Sequence, residues 1–345
     1  MEKQPSVSRI PPISSARFIL AMWVVLGHLG IPLLRDQQND RILWALRALL
    51  NNAFNGPAAV IAFFVISGFC IHFPNRKGLQ MRSWKAYYAR RYVRILIPMA
   101  VAIALSLPLG MRFGLFTDSI LWSLLCEEIY YLLYPALLAL KDRMGWRGLM
   151  TLAGVLAFLT VLTNPHAGDY ASYGPALNWV LGLPCWLMGC MLAERLETFN
   201  YRRISAIQMW GWRAGVWALS VVLSILRFHT PIGFPWTFDL FAVVAVLWLE
   251  REIRYYHTGR KAPFENLGEA SYSIYLTHTH APAILSMLAV SSAMSPAGTW
   301  AWSIALCGIF ATTFYCLVER PSHRFARRVS RSRPAVAEAS AVAAQ

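Results

Sequence analysis

A chain of 345 residues that is 57% hydrophobic and only 14% charged, with a mean hydropathy of +0.44, has the composition of a multi-pass membrane protein, because each spanning helix needs about 20 mostly apolar residues. No polar stretch has the length of a separate soluble domain. The formal charge of +15 does not signal a nucleic-acid partner, because the basic residues gather in alternate loops.

The first apolar run opens at Ala16, after a polar, proline-containing arm, and reads as a retained helix and not a cleaved signal. Nine further runs follow. The ten span about 16–34, 58–73, 95–112, 119–140, 148–163, 176–193, 213–229, 237–250, 270–290 and 299–318. The expected fold class is therefore an all-α integral membrane protein, a bundle of about ten transmembrane helices. Segment 74–94 carries Arg76, Lys77, Arg82, Lys85, Arg90, Arg91 and Arg94 with no acid. Segment 319–333 carries Arg320, Arg324, Arg327, Arg328, Arg331 and Arg333 against Glu319. Placing both in the cytoplasm puts both termini there too, and leaves the opposite loops only Arg35, Arg41, Arg47 and Arg112. The division expected is a cytoplasmic arm over 1–15, a transmembrane domain over 16–321, and a basic then disordered tail over 322–345. Membrane lipids are the expected surroundings.

The first run holds Arg17 and His28, eleven residues apart. Eleven steps return to within about 20° on a helix, so the two share a face roughly 16 Å apart along the axis. Alternatively they are a snorkelling arginine and a packed histidine, but an ionisable group inside a bilayer is expensive enough to mark a functional candidate. The second run ends Phe63-Phe64-Val65-Ile66-Ser67-Gly68-Phe69, where Ser67-Gly68 favours close helix packing. Arg91 and Arg94 precede the third run on one helix face, suited to a phosphate-bearing ligand or to anchoring at the basic surface.

The fourth run carries Trp122-Ser123 and then the adjacent Glu127 and Glu128, which point about 100° apart. A structural ion pair is the plainer account of these acids. The ninth run opens Gly268-Glu269-Ala270-Ser271-Tyr272-Ser273-Ile274-Tyr275-Leu276-Thr277-His278, with Ser271, Tyr275 and His278 on one face. Such hydroxyl-rich faces usually join helices. The tenth run ends Glu319-Arg320-Pro321, read as a helix stop. His72, His166, His229, His257, His280 and His323 lie near surfaces or loops and carry no signal. The six cysteines all fall in apolar runs without metal-ligand spacing and read as small buried hydrophobes.

Taken in this order, the arginine-x10-histidine, the FFxxSGF piece, RxxR before a proline, WSLxxExxYYxxxP and SYSxYLxH resemble the acyltransferase-3 family of integral membrane O-acyltransferases, from about Arg17 to Pro321. The resemblance implies transfer of an acyl group, most often acetyl, from cytoplasmic acyl-coenzyme A to a hydroxyl of a saccharide or glycolipid acceptor. The expected setting is a bacterial plasma membrane, and the expected reaction requires no metal. The resemblance matches Arg17 and His28 to the family's essential pair, Arg91 and Arg94 to its RxxR pair, and Glu127 to its more constant acid; Arg91 and Arg94 are the residues expected to bind the donor. Trp122, Ser123, Glu128, Ser67, Tyr275 and His278 complete the expected substrate-binding set. Where members often carry an aspartate two residues before the FF pair, this chain has Ile61.

A hydroxyl attacking a thioester needs a base, and histidine titrates near neutral pH, so His28 is the expected base. A covalent acyl-histidine is the less economical route. His28 lies roughly 18 Å along an outgoing helix and Glu127 roughly 12 Å along a returning one, depths that nearly coincide in a core about 30 Å thick. Glu127 is accordingly expected to orient His28, with Arg17 on the donor side. The rival class is a transporter or lipid-linked saccharide flippase with Glu and His as proton relays, against which stands the absence of internal repeats.

Overall fold

The computed structural model describes residues 10–32, 41–76, 84–111, 120–196, 203–257, 259–288 and 294–331. Lys77, Arg82, Arg35, Arg112 and the tail 332–345 lie outside the described residues, as does most of the arm 1–15. All regular structure among the described residues is helical. Helix α1 (Pro11–Leu29) begins earlier than the apolar run, because Pro11 and Pro12 occupy first-turn positions whose N–H groups have no helical partner. It ends at Gly30, whose φ of 64° closes the last turn with a bond to the Leu26 carbonyl. Helix α2 (Arg41–Asn52) lies in the long connection after α1. Helix α3 (Gly56–His72) starts where the Asn55 side chain accepts the Ala58 N–H at 3.2 Å. Helix α4 (Trp84–Ser106) follows.

Helix α5 (Leu121–Thr163) covers 43 residues, which at 1.5 Å each is about 65 Å, twice the depth of a bilayer core. Gly145, at φ 70° and ψ 170°, bends it into arms 121–144 and 146–163. Those arms correspond to the fourth and fifth runs. Helices α6 (Gly174–Arg195), α7 (Ala206–His229) and α8 (Phe234–His257) come next, with α7 opened by a Ser205/Gln208 capping box. The ninth run is not one helix. It divides into α9 (Ser271–Thr277) and α10 (His280–Met287). Pro282 has no N–H for the His278 carbonyl four residues back, so the helical ladder is interrupted there.

Helix α11 (Pro296–Phe314) passes through a π-helical turn, Tyr315–Glu319, into α12 (Arg320–Arg331). The expected stop at Pro321 is therefore corrected. Proline at the start of a helical segment forfeits no bond, and the π-turn has already broken the i→i−4 register. Residues 320–331 continue as a helix past the expected stop.

Among the described residues, seven helices are long and apolar enough to cross a membrane. Each of the ten apolar runs is mainly helical over its described residues. The difference arises because α5 contains two runs, α8 carries Asp239, Glu250, Arg251 and Glu252, and the ninth run is broken.

Helix α3 is the central post, packed by α1, α5, α6 and α8 and apolar on every side, as a fully enclosed helix should be. Its contact with α6 is backbone on backbone. A Cβ at Gly68 would lie 1.9 Å from the Trp186 carbonyl oxygen, and one at Gly189 would lie 1.9 Å from that of Val65. Gly68 thus has the packing role expected of it. Ile61 is fully buried in this apolar core.

Candidate active site

A cavity of about 1030 Å³ opens at the basic end of the bundle. Its mouth is set with guanidinium groups from four places: Arg17 on α1, Arg76 after α3, Arg90, Arg91 and Arg94 on α4, and Arg320, Arg324 and Arg327 on α12. Ser67, Ser123, Glu127, Glu128, Tyr131 and Tyr275 line it further along. The structure therefore brings Arg17, Arg91, Arg94, Glu127, Glu128, Ser67, Ser123 and Tyr275 together around one space. Trp122 is not on its wall. That ring packs edge-on against Phe64 at 6.2 Å and against Tyr170 at 6.2 Å, behind the wall.

The acids are held differently. Tyr131 donates to Glu127 Oε2 at 2.8 Å. With the Tyr131 proton so committed, the 2.8 Å contact between Ser67 Oγ and Tyr131 Oη has Ser67 as donor. Trp186 Nε1 in turn donates to Ser67 Oγ at 3.3 Å. The chain Trp186, Ser67, Tyr131, Glu127 thus runs one way and ends on the carboxylate, with the Arg91 guanidinium 5.6 Å above the Tyr131 ring. Both carboxylate oxygens of Glu128 are enclosed without a hydrogen-bond partner. The divergence expected of adjacent helical residues is what separates the two environments.

Arg94 Nε donates to His323 Nε2 at 2.9 Å, so that nitrogen carries a lone pair and His323 is neutral. His323 also stands 3.5 Å from Glu319 Oε1. The other oxygen of the fully buried Glu319 accepts from the backbone N–H and the hydroxyl of Ser273. Sequence reasoning missed Glu319 and His323. The available signal was their i,i+4 spacing on an arginine-rich helix. His72 was missed too: its Nδ1 meets the Tyr134 hydroxyl at 2.8 Å and its Nε2 meets Glu194 at 2.9 Å, tying α3 to α5 and α6.

His28 is elsewhere. It does not line the cavity but lies on the exposed far end of α1, with its ring centroid 4.8 Å from that of His278. His28 Nδ1 is 2.9 Å from the Val24 carbonyl, and His278 Nδ1 is 2.7 Å from the Tyr275 carbonyl. A carbonyl only accepts, so each Nδ1 carries a proton, and Nε2 is the nitrogen available as a base when the ring is neutral. His278 is 1% exposed, and its Nε2 has no partner. Tyr275 belongs to both regions. Its hydroxyl is 2.7 Å from Ser123 Oγ on the cavity side, and its ring centroid is 6.0 Å from that of His278. Phe63 stands beside it at 6.2 Å.

The expected meeting of Glu127 with His28 is not found, since the two fall in different clusters. Matching depth along ideal helices locates residues in one dimension only. Laterally, α9 and its Tyr275 lie between them.

The profile of a family described as an acyltransferase domain matches residues 13–318. The acyltransferase MdmB of Streptomyces mycarofaciens is 28% identical over 320 residues, which cover 79% of each chain. No solved structure matches this chain.

Proposed function

The chain belongs to the acyltransferase-3 family of membrane acyltransferases, and on that footing we propose that it takes an acyl group, in the first instance acetyl, from a cytoplasmic coenzyme A thioester and delivers it to a hydroxyl of a saccharide or glycolipid at the opposite face. The observation that carries this reading is the arginine-ringed cavity whose inner end meets Tyr275 and, behind it, the histidine pair. Arg91, Arg94 and Arg17 would hold the donor phosphates, for which guanidinium forks are suited.

In the reaction, His28 Nε2 takes the acceptor proton as the hydroxyl oxygen bonds to the thioester carbonyl carbon. The C–S bond then breaks, and the thiolate recovers a proton as coenzyme A thiol. The tautomer fixed by the Val24 carbonyl supports His28 as that base, and its exposure supports approach of the acceptor from that end. Ser123 and Tyr275 would turn their hydroxyls toward the developing oxyanion. Ser67 and Glu127 hold the inner wall through Tyr131. His278 supplies a second lone pair that would accept from protonated His28. The basic end is then cytoplasmic. In a variant freed of native cysteines, a cysteine at Ser172 should label from outside, whereas labelling at Arg143 would reverse this orientation.

The test supplies acetyl-coenzyme A to membranes with and without the chain and follows thiol release, with mass spectrometry of surface and secreted glycans. Chain-dependent thiol release together with a shift of one acyl group on a glycan is expected. Chain-dependent thiol release from longer thioesters alone would overturn the acetyl assignment. No chain-dependent release from any thioester would overturn the donor.

A further inference from the structure

The cavity follows α3 from Val60 to Ile71, about 17 Å at helical rise, and continues past Phe73 and Pro74 to Arg76. Its two ends differ in chemistry. Guanidinium groups surround the Arg76 end, and apolar side chains, Val60, Phe63, Phe64 and Leu124, surround the other. A thioester whose phosphates lie among the arginines must present its acyl group to the apolar end.

That end is closed by a wall with no room to retreat. Phe64 is 1% exposed and is wedged edge-on between Tyr130 at 5.6 Å and Trp122 at 6.2 Å. Behind it runs the backbone of α6, so close that a Cβ at Gly182 would lie 2.7 Å from the Phe64 ring. Tyr130 is itself pinned, donating to the Trp179 carbonyl at 2.8 Å. Phe63, half-buried at the cavity surface, rests against Tyr275, whose hydroxyl is tied to Ser123. Interiors packed this way do not yield to an extra methylene without displacing side chains.

We infer that Phe63 and Phe64 are the specificity-determining residues for acyl length, a fixed aromatic stop that admits short acyl groups and rejects long ones. This rests on the acyl-coenzyme A reading of the cavity. One methylene in an apolar pocket changes discrimination by about 10- to 200-fold, so a stop of this kind is read directly in a donor series. Phe63 is the residue to alter, because Phe64 is locked in the core.

The experiment measures binding of coenzyme A and of acetyl-, butyryl- and hexanoyl-coenzyme A to the purified full chain in detergent by calorimetry, which needs no acceptor. The wild-type chain should bind acetyl-coenzyme A at least as tightly as coenzyme A, and hexanoyl-coenzyme A at least tenfold more weakly. Phe63→Ala should recover at least tenfold for hexanoyl relative to acetyl. Phe63→Leu, which keeps more of the packing, should recover part of it and serves if the alanine variant does not fold. Equal binding of all four compounds by the wild type, or an unchanged series in the folded Phe63→Leu, would overturn the stop. Failure of coenzyme A and every thioester to bind would instead overturn the donor reading beneath it.

Discussion

At the basic end, arginines from α1, α4, α12 and the turn after α3 face one cavity with few acids to balance them. At the far end, two histidines meet, each with one nitrogen committed to its own helix and the other left as a base. Clustered guanidiniums repel one another unless a polyanion occupies the space between them, which is the profile of a place that a charged molecule enters and leaves. The two imidazoles each turn Nδ1 to a carbonyl of their own helix, and each has Nε2 left over to meet a hydroxyl. One end is built of cations and the other of paired imidazoles, and the Phe63–Tyr275 layer marks the change; on the proposed function the first holds the donor and the second moves the proton.

The strongest way to break this division is at the histidines. His28→Ala should lower turnover by about 10²- to 10⁴-fold, the usual loss on removing a positioned base. It should leave acyl-coenzyme A binding intact, because His28 does not line the cavity. Calorimetry beside single-turnover thiol release separates the two. Near-normal turnover in a folded His28→Ala would remove His28 as the base and turn attention to His278.

At the other end, Arg94→Ala and Arg94→Lys should both raise the donor KM, by about 10- to 100-fold, since a charged hydrogen bond contributes about 1.5–3 kcal/mol and an ammonium cannot reproduce a guanidinium fork. The acceptor KM should move much less. Full activity in Arg94→Lys would leave the arginines as membrane anchors only.

How far these regions could be seen in the sequence differs for physical reasons. The basic end was legible because charges on one surface collect in the same loops, so Arg91 and Arg94 announce themselves by spacing. The pairing of His28 with His278 was not, since it requires α1 to meet the junction of α9 and α10 across some 250 intervening residues. The helices themselves were legible from apolar runs. The bend of α5 depends on one positive φ at Gly145, and the break in the ninth run depends on one missing N–H at Pro282, local events that hydropathy averages away. Glu127 was expected beside His28 on depth alone and instead meets Tyr131, because depth along a helix carries no lateral information.

The two carboxylates sharpen the comparison within the cavity itself. Glu127 terminates the chain from Trp186 through Ser67 and Tyr131, so Glu127→Gln removes the charge at the end of an ordered network and should lower kcat/KM about tenfold. Glu128 has no hydrogen-bond partner to lose, and Glu128→Gln should cost no more than a few-fold. Equal effects in initial-rate measurements would show that the network ending on Glu127 does not matter to the reaction.

The smallest effect expected is at His323, and it tests whether the arginines are positioned or merely present. The Arg94 side chain donates its Nε to His323, which leaves its terminal nitrogens free for a ligand and fixes the plane of the fork. Glu319, whose Oε2 is bound by Ser273, stands 3.5 Å from that same His323 nitrogen without a hydrogen bond to it, so the bond from Arg94 ends on His323. His323→Leu removes the acceptor without touching the cavity charge. The loss of one such bond, about 1 kcal/mol, corresponds to roughly a fivefold rise in donor KM with kcat unchanged. His323→Gln keeps an acceptor oxygen near the same place and should recover most of that loss. If leucine and glutamine behave alike in donor titrations, His323 fills space and Arg94 finds its own geometry; if only glutamine restores the donor KM, the hydrogen bond itself sets the guanidinium toward the phosphates.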